Sequence, residues 1–300
     1  MKHKSQILFS ILIPSFNYNE GIRRILTLLS NHDPEIQNFF EVVIFDNSRN
    51  DSLSTKIEDF YSRIKNLKYC YNNPANCACD NWNALINSTD VDHFILMHHD
   101  EFPFNRNFVL DIIDILKKRP KLDIVLLDCI LLNKKKRYLV RHVPVFFRNF
   151  FIRKFPSYVL TRNFIGPTGS VIIKRTMFDG FDCRLKWLID VDAYYRILLN
   201  ARSIFFAKHV KIVSYTDRLD SITSSMSGNI EKINTKERAI LSTKYKTLIL
   251  LRNTALIKFI EPILWFIFRV VTKGLLIFVN RVGVYPVTYK EAKKIIKNTK

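Results

Sequence analysis

The first 130 residues alternate between short apolar runs and segments of helical periodicity, and this alternation limits the folds open to the chain. Residues 7–13, 40–45, 67–71, 94–97 and 124–132 read as strands. Between them, residues 19–30, 53–64, 79–86 and 108–118 read as helices; the first gathers Ile22, Ile25, Leu26 and Leu29 on one face. Strands alternating with helices imply βαβ units, a mostly parallel sheet and helices on its faces. Ligands of such sheets bind at the carboxyl ends of the strands. Pro14-Ser15-Phe16, Asp46-Asn47 and the run from His98 to Glu101 are therefore expected along one rim. The last is the most telling, because the apolar residues Phe94 to Met97 run straight into His98, His99, Asp100 and Glu101.

A 300-residue chain with 48% apolar residues can bury a sizeable core, which excludes global disorder. The net charge of +20 favours anionic partners: nucleic acid, a phosphorylated small molecule or an anionic membrane surface. Five cysteines, an odd number, argue against a disulfide framework and for a reducing compartment. Cys77-Ala-Cys79 is too closely spaced for a usual zinc pair, and no second pair follows. The N-terminal apolar run stops at Pro14 without a small-residue cleavage site, so it reads as a first strand rather than a signal peptide.

Two further stretches stand apart. Residues 133–163 hold nine lysines and arginines, no acid and many aromatics. Residues 241–300 hold 12 basic residues against Glu261 and Glu291, and their apolar part is broken by Glu261, Arg269 and Lys273. No spanning helix fits such a run; an amphipathic segment in a membrane interface or a helix packed on the domain does. The expected division is a domain over 1–235 and a basic amphipathic helical region over 236–300.

The order SILIPSFN, VVIFDNSRNDS, NNPAN, ILMHHDEF, NFIGPTGSVIIKR and KWLIDVDAYYRIL resembles family 2 glycosyltransferases, over roughly residues 7–220. The resemblance implies an α/β GT-A fold, a Rossmann-like and mostly parallel sheet flanked by helices, here with a C-terminal amphipathic extension. It also implies a nucleotide-sugar donor, Mn²⁺ or Mg²⁺, and inversion at the anomeric carbon. In the family's Asp-x-Asp register this chain reads His98-x-Asp100. Asp100 is then the principal metal ligand, with His98 in place of the commoner acid and Glu101 on the metal or the donor sugar. Asp46 falls where the family's acid accepts a hydrogen bond from the base, although Asp-Asn-Ser is also turn chemistry. Pro14 and Phe16 resemble the segment lining base and ribose, and Asn76 the loop beside the donor. Arg218 resembles a late segment near the donor phosphates, with Asp220 where His is common.

Counting back from Arg196, the family's base falls at Asp190, whereas Asp192 is spaced for an i,i+4 ion pair with Arg196. Asp190 is thus the expected general base. Trp187 fits a sugar-stacking face or the core. Gly166 and Thr168 resemble the turn beneath the acceptor. The basic stretch suggests a glycan or polyprenyl-diphosphate-linked acceptor, and the whole suggests an enzyme of surface-polysaccharide synthesis, cytoplasmic and peripheral at the inner membrane face. UDP-sugars are the favoured donors, and nucleic acid is not an expected partner. The alternatives are a degenerate GT-A protein, a nucleotidyltransferase and a basic RNA- or membrane-binding protein. A nucleotidyltransferase needs a Gly-rich loop that IPSFNYNEG lacks. A binding protein would not need Asp46, Asp100 and Asp190 at one rim.

Overall fold

The computed structural model describes residues 7–133, 138–141, 145–215 and 229–246. The strands are β1 (Phe9–Ser15), β2 (Phe40–Asp46), β3 (Leu67–Tyr71), β4 (His93–Leu96), β5 (Glu101–Pro103), β6 (Ile124–Asn133), β7 (Tyr138–Arg141), β8 (Val171–Lys174) and β9 (Ile204–Tyr215). The helices are α1 (Asn19–Leu29), α2 (Ser54–Tyr61), α3 (Ala78–Asn87), α4 (Phe108–Lys118), α5 (Val145–Lys154), α6 (Ile189–Asn200) and α7 (Ile230–Lys244).

The sheet runs β3-β2-β1-β4-β8-β6-β9-β5, with β7 paired to β6. β3, β2, β1 and β4 are mutually parallel, β8 is antiparallel to β4 and β6, and β6 is parallel to β9. Every residue of β1 is buried. Phe9, Ile11 and Ile13 face one apolar core, shared with α1, α2 and α4; Leu12 faces the other, shared with α3, α6 and α7. A strand covered on both faces reads as a continuous apolar run, which is why the sequence located the parallel half well.

The strands and helices expected through residue 132 and at 171–173 and 188–199 all form. β5, β7, α5, β9 and α7 had no separate sequence signal. β9 is hidden because Lys208, His209 and Lys211 interrupt its alternation, and its register against β6 shifts between Leu127 and Asp128. The expected division at 235/236 falls inside α7, whose Leu241 is fully buried in the second core. Residues beyond 246, including most of the basic C-terminal stretch, lie outside the described residues. Among the described residues no helix is long and apolar enough to cross a membrane.

The cysteine count needs one correction. Cys79 and Cys183 form a disulfide, joining α3 to the segment before α6 across 104 residues. It is a single staple rather than a framework, and a pairing so distant leaves no local spacing to read.

Candidate active site

The carboxyl ends of β1 and β4 open into a cavity of about 800 Å³, within the usual range for small-molecule sites. Pro14, Ser15 and Phe16 line it together with Asn76 and Trp82, with His98 to Glu101 (the floor) and with Trp187 to Val191 (the wall).

The floor follows from the end of β4. Its chain turns at His98, where Glu101 N–H donates to the His98 carbonyl at 2.9 Å, and re-enters the sheet as β5. Glu101 is only 4% exposed, and its Oε2 accepts from the backbone N–H of His98 (3.2 Å) and of Gly169 (2.9 Å). Burial first, and then the charge of Asp100, push its carboxyl well above the usual range, against those two hydrogen bonds. His98 packs against Trp82, ring centroids 4.7 Å apart. Burial drives its imidazole down to about 3, helped by His99, so the ring is neutral at physiological pH. Its Nε2 is buried and has no hydrogen-bond partner among the described residues. A neutral imidazole with an unused nitrogen, beside two crowded carboxylates, is a donor set that fits a divalent cation.

Gly169 shows how tightly the floor is braced. A Cβ there would sit 2.2 Å from Glu101 Oε2, and Glu101 cannot swing away without losing both backbone bonds. Gly169→Ala is expected to cost about 1–3 kcal/mol, read as a lowered Tm, and to weaken nucleotide binding with it.

The wall carries Asp190, in the first turn of α6. Asn163 Nδ2 donates to its Oδ2 at 2.8 Å, and the Val191 N–H to Oδ1 at 2.8 Å. Burial holds the Asp190 carboxyl up to about 6; hydrogen bonds from Val191, its own N–H and Asn163 oppose this, and the charge of Glu237 adds to it. A carboxylate tuned there, bordering a cavity, suits a general base. Asp192, by contrast, is fully buried and saturated, accepting from Arg196 (3.0 Å), Lys244 (3.0 Å) and Tyr245 (2.8 Å). The i,i+4 pairing read from sequence is therefore present.

Not every expected residue reaches the cavity. Asp46 is fully buried and does not line it: its Oδ1 accepts from the Ser48 N–H and hydroxyl, and its Oδ2 from the Tyr69 hydroxyl. That is the Asx-turn alternative; Asn47, one residue on, borders the cavity and bonds Asn76 through both backbone N–H and carbonyl. Gly166 sits behind the wall at φ +120°, a left-handed conformation that favours glycine, and its carbonyl accepts from Tyr194 and Asn163. Thr168 does line the cavity, and its buried hydroxyl, like that of Ser15, has no partner among the described residues. Arg218 lies outside the described residues.

Four residues of the site were not singled out in the sequence: Asn163, Lys186, Arg238 and Glu237. Asn163 holds the Asp190 carboxylate, a contact its NFIG context only hints at. Arg162, Lys186 and Arg238 bring positive charge to the wall beside Asp190. Glu237, 3% exposed, accepts from the backbone N–H groups of Lys186 (2.7 Å), Trp187 (3.0 Å) and Leu188 (2.8 Å), so α7 fixes the segment leading into α6.

A family model described as Glycosyl transferase family 2 matches residues 10–179. The chain belongs to that family. The match takes in β1 through β8 and includes the floor with Asp100 and Glu101, and the fold is of the GT-A type expected of the family. Its fold resembles the S. aureus TarS 1–349 crystal structure in complex with UDP-GlcNAc, at TM-score 0.56 and 16% identity, covering 73% of this chain and 61% of that one. It also resembles the mannosyltransferase PcManGT of Pyrobaculum calidifontis, in complex with GDP-Man and Mn²⁺, at TM-score 0.52 and 14% identity, covering 71% and 58%. The chain thus spans less than two thirds of the length of these structural relatives. No curated protein matches it in sequence.

Proposed function

We propose that this family 2 member is an inverting glycosyltransferase that moves a sugar from a nucleoside diphosphate to a hydroxyl of a glycan or lipid-linked acceptor. The observation that carries the reading is a single cavity with the Asp100–Glu101 pair on its floor and Asp190, with its raised pKa, on its wall. Pro14, Phe16, Asn47 and Asn76 line the end where the base and ribose would lie. Asp100 and His98 would hold a divalent ion, with Glu101 beside them. When bound, such an ion neutralises the charge that gathers on a departing diphosphate. Asp190 accepts the proton of the attacking hydroxyl, and Asn163 keeps its carboxylate aimed. Attack on the sugar face opposite the leaving group would invert the anomeric centre.

The relatives in complex with UDP-GlcNAc and with GDP-Man and Mn²⁺ support a nucleotide-sugar donor and a divalent ion. Sugar transfer or donor hydrolysis over a panel of UDP- and GDP-sugars, with and without Mn²⁺ or Mg²⁺, tests the reading. Chelation is expected to abolish turnover and either ion to restore it. Asp100→Ala is expected to remove the metal-dependent thermal stabilisation by UDP or GDP, whereas Asp190→Asn retains it. Metal-independent turnover, or equal nucleotide binding by Asp100→Ala, would overturn the assignment.

A membrane-bound acceptor is part of the same proposal. Phe150 and Phe155 are 45% and 52% exposed, their rings lie 5.8 Å apart, and the exposed Arg153 and Lys154 flank them. The helix leads directly to residues 159–163 on the cavity wall. Basic surface with protruding aromatics suits an anionic headgroup layer, as does the basic sequence after 246. Flotation with anionic vesicles is expected to carry the enzyme upward at low salt. Replacing both phenylalanines with Ser should weaken this several-fold while leaving hydrolysis of a soluble donor unchanged.

A further inference from the structure

Outside the cavity, α3 begins with a cluster the reaction does not use. Cys77 is the N-cap of α3, its sulfur accepting from the Asp80 N–H, and its thiol donates to Asp80 Oδ2 at 2.9 Å. Asp80 Oδ1 lies 3.4 Å from the sulfur of Cys183. The ligand atoms of Cys77, Asp80 and Cys183 are all within 4.8 Å of one another, and all three residues are exposed. Cys79 is bonded to Cys183 and is not one of the three. Asn83 stands behind the group: its Nδ2 lies 3.6 Å from each disulfide sulfur, and its amide bonds the backbone N–H and carbonyl of Phe181. Two sulfurs and a carboxylate, backed by an amide donor, are three ligands of a tetrahedral site whose fourth position is left to water. Zinc bonds of about 2.3 Å to sulfur and about 2.1 Å to oxygen place ligand atoms roughly 3.5–3.8 Å apart. The Asp80 oxygens already lie 2.9 Å and 3.4 Å from the sulfurs of Cys77 and Cys183.

We propose that, once the Cys79–Cys183 bond is reduced, Cys77, Asp80 and Cys183 bind a zinc-class ion at the N-terminus of α3. A dithiol reductant becomes a disulfide and hands its two hydrogens to Cys79 and Cys183. The ion then displaces the thiol protons of Cys77 and Cys183 to solvent. Thiolates select soft or borderline ions, whereas His98 and Asp100 are imidazole and carboxylate, so the two sites discriminate by ligand chemistry. Asn83 supplies hydrogen bonds to the sulfurs, the outer-shell support that metal thiolates use. Both forms tie α3, which carries Trp82 against His98, to the segment entering α6, which carries Asp190. The disulfide and the metal are alternative closures of one seam between the two walls of the cavity. The proposal is independent of the glycosyl-transfer reading.

The full chain, reduced with a phosphine and freed of reductant, is titrated with Co²⁺ as the probe. The expected result is near-ultraviolet thiolate-to-cobalt charge-transfer absorption that saturates at one ion per chain and is bleached by Zn²⁺. The Asp100 floor contains no sulfur and cannot produce that band. The oxidised protein should lack it. Cys77→Ser, which leaves the native disulfide partners in place, should lose at least tenfold in affinity once reduced, and Cys183→Ser likewise. Zn²⁺ should also raise the Tm of the reduced protein. Absence of the band in reduced protein of native near-ultraviolet circular dichroism overturns the proposal. So does undiminished binding by both variants. A reduced protein that loses its native spectrum and does not recover it with Zn²⁺ overturns it equally, because a site of this kind returns its binding energy to the fold.

Discussion

Asp190→Asn is expected to lower kcat by about 10²–10⁴-fold, the usual contribution of a positioned general base, with little change in nucleotide affinity. The wild-type rate should rise with pH through a midpoint near the value of about 6 at which the carboxyl is held, because only the ionised form accepts a proton. The same substitution should make the protein more stable. A carboxyl near 3.8 when unfolded and near 6 when folded favours folding most at pH below 3.8, where it is protonated in both states. That contribution is lost as pH rises through 6, because the folded site must then hold a buried charge. At about 1.4 kcal/mol per pKa unit the loss is on the order of 3 kcal/mol, and solvent reaching the side chain from the open cavity brings it to roughly 1–2 kcal/mol. Asn carries no charge, and its oxygen can still accept from Val191 or Asn163. The Tm difference between variant and wild type should therefore grow from pH 4 to 6 and stay level above. Thermal unfolding across that range, beside single-turnover kinetics, checks both halves. A variant that is inactive yet less stable at pH 7 would show that Asp190 is an ordinary structural acid.

The sequence reading reached the site where a strand end alone decides the position. The buried run before His98 could only end at the rim, and Asp190 was separated from Asp192 by helical spacing that the Arg196 ion pair obeys. It went less far where side-chain direction decides. Asp46 is at the strand end as expected, but Ser48 and Tyr69 turn its carboxylate inward. Local turn chemistry outweighed the pattern, and nothing in a one-dimensional register says which neighbour will capture an acid. Distance along the chain hid the rest. Cys183 and Glu237 lie far from Cys79 and from the segment before α6, and neither belongs to a compact motif. α7 carried no separate sequence signal, and one of its acids, Glu237, is buried.

Glu237→Ala is expected to be the most destabilising single truncation at the site. Its carboxylate satisfies three consecutive backbone N–H groups, those of Lys186, Trp187 and Leu188, which lie just before the first turn of α6. Donors at a helix start have no intrahelical partner, and a carboxylate there also meets the positive end of the helix dipole. Leaving such donors buried without a partner costs about 1–3 kcal/mol apiece. Partial access of water from the cavity side holds the sum to about 3–5 kcal/mol, or roughly 6–20 °C in Tm for a domain of this size. Glu237→Gln keeps one acceptor oxygen and removes the charge, so it should recover about half the stability. Because the Glu237 charge helps hold the Asp190 carboxyl up, Glu237→Gln should also move the acidic limb of the rate profile to lower pH. A purely structural helix contact would lower Tm and leave that limb in place. Full activity and an unshifted profile in Glu237→Gln would mean that α7 merely rests on the glycosyltransferase domain, whereas a shifted limb would make it part of the machinery that sets the base.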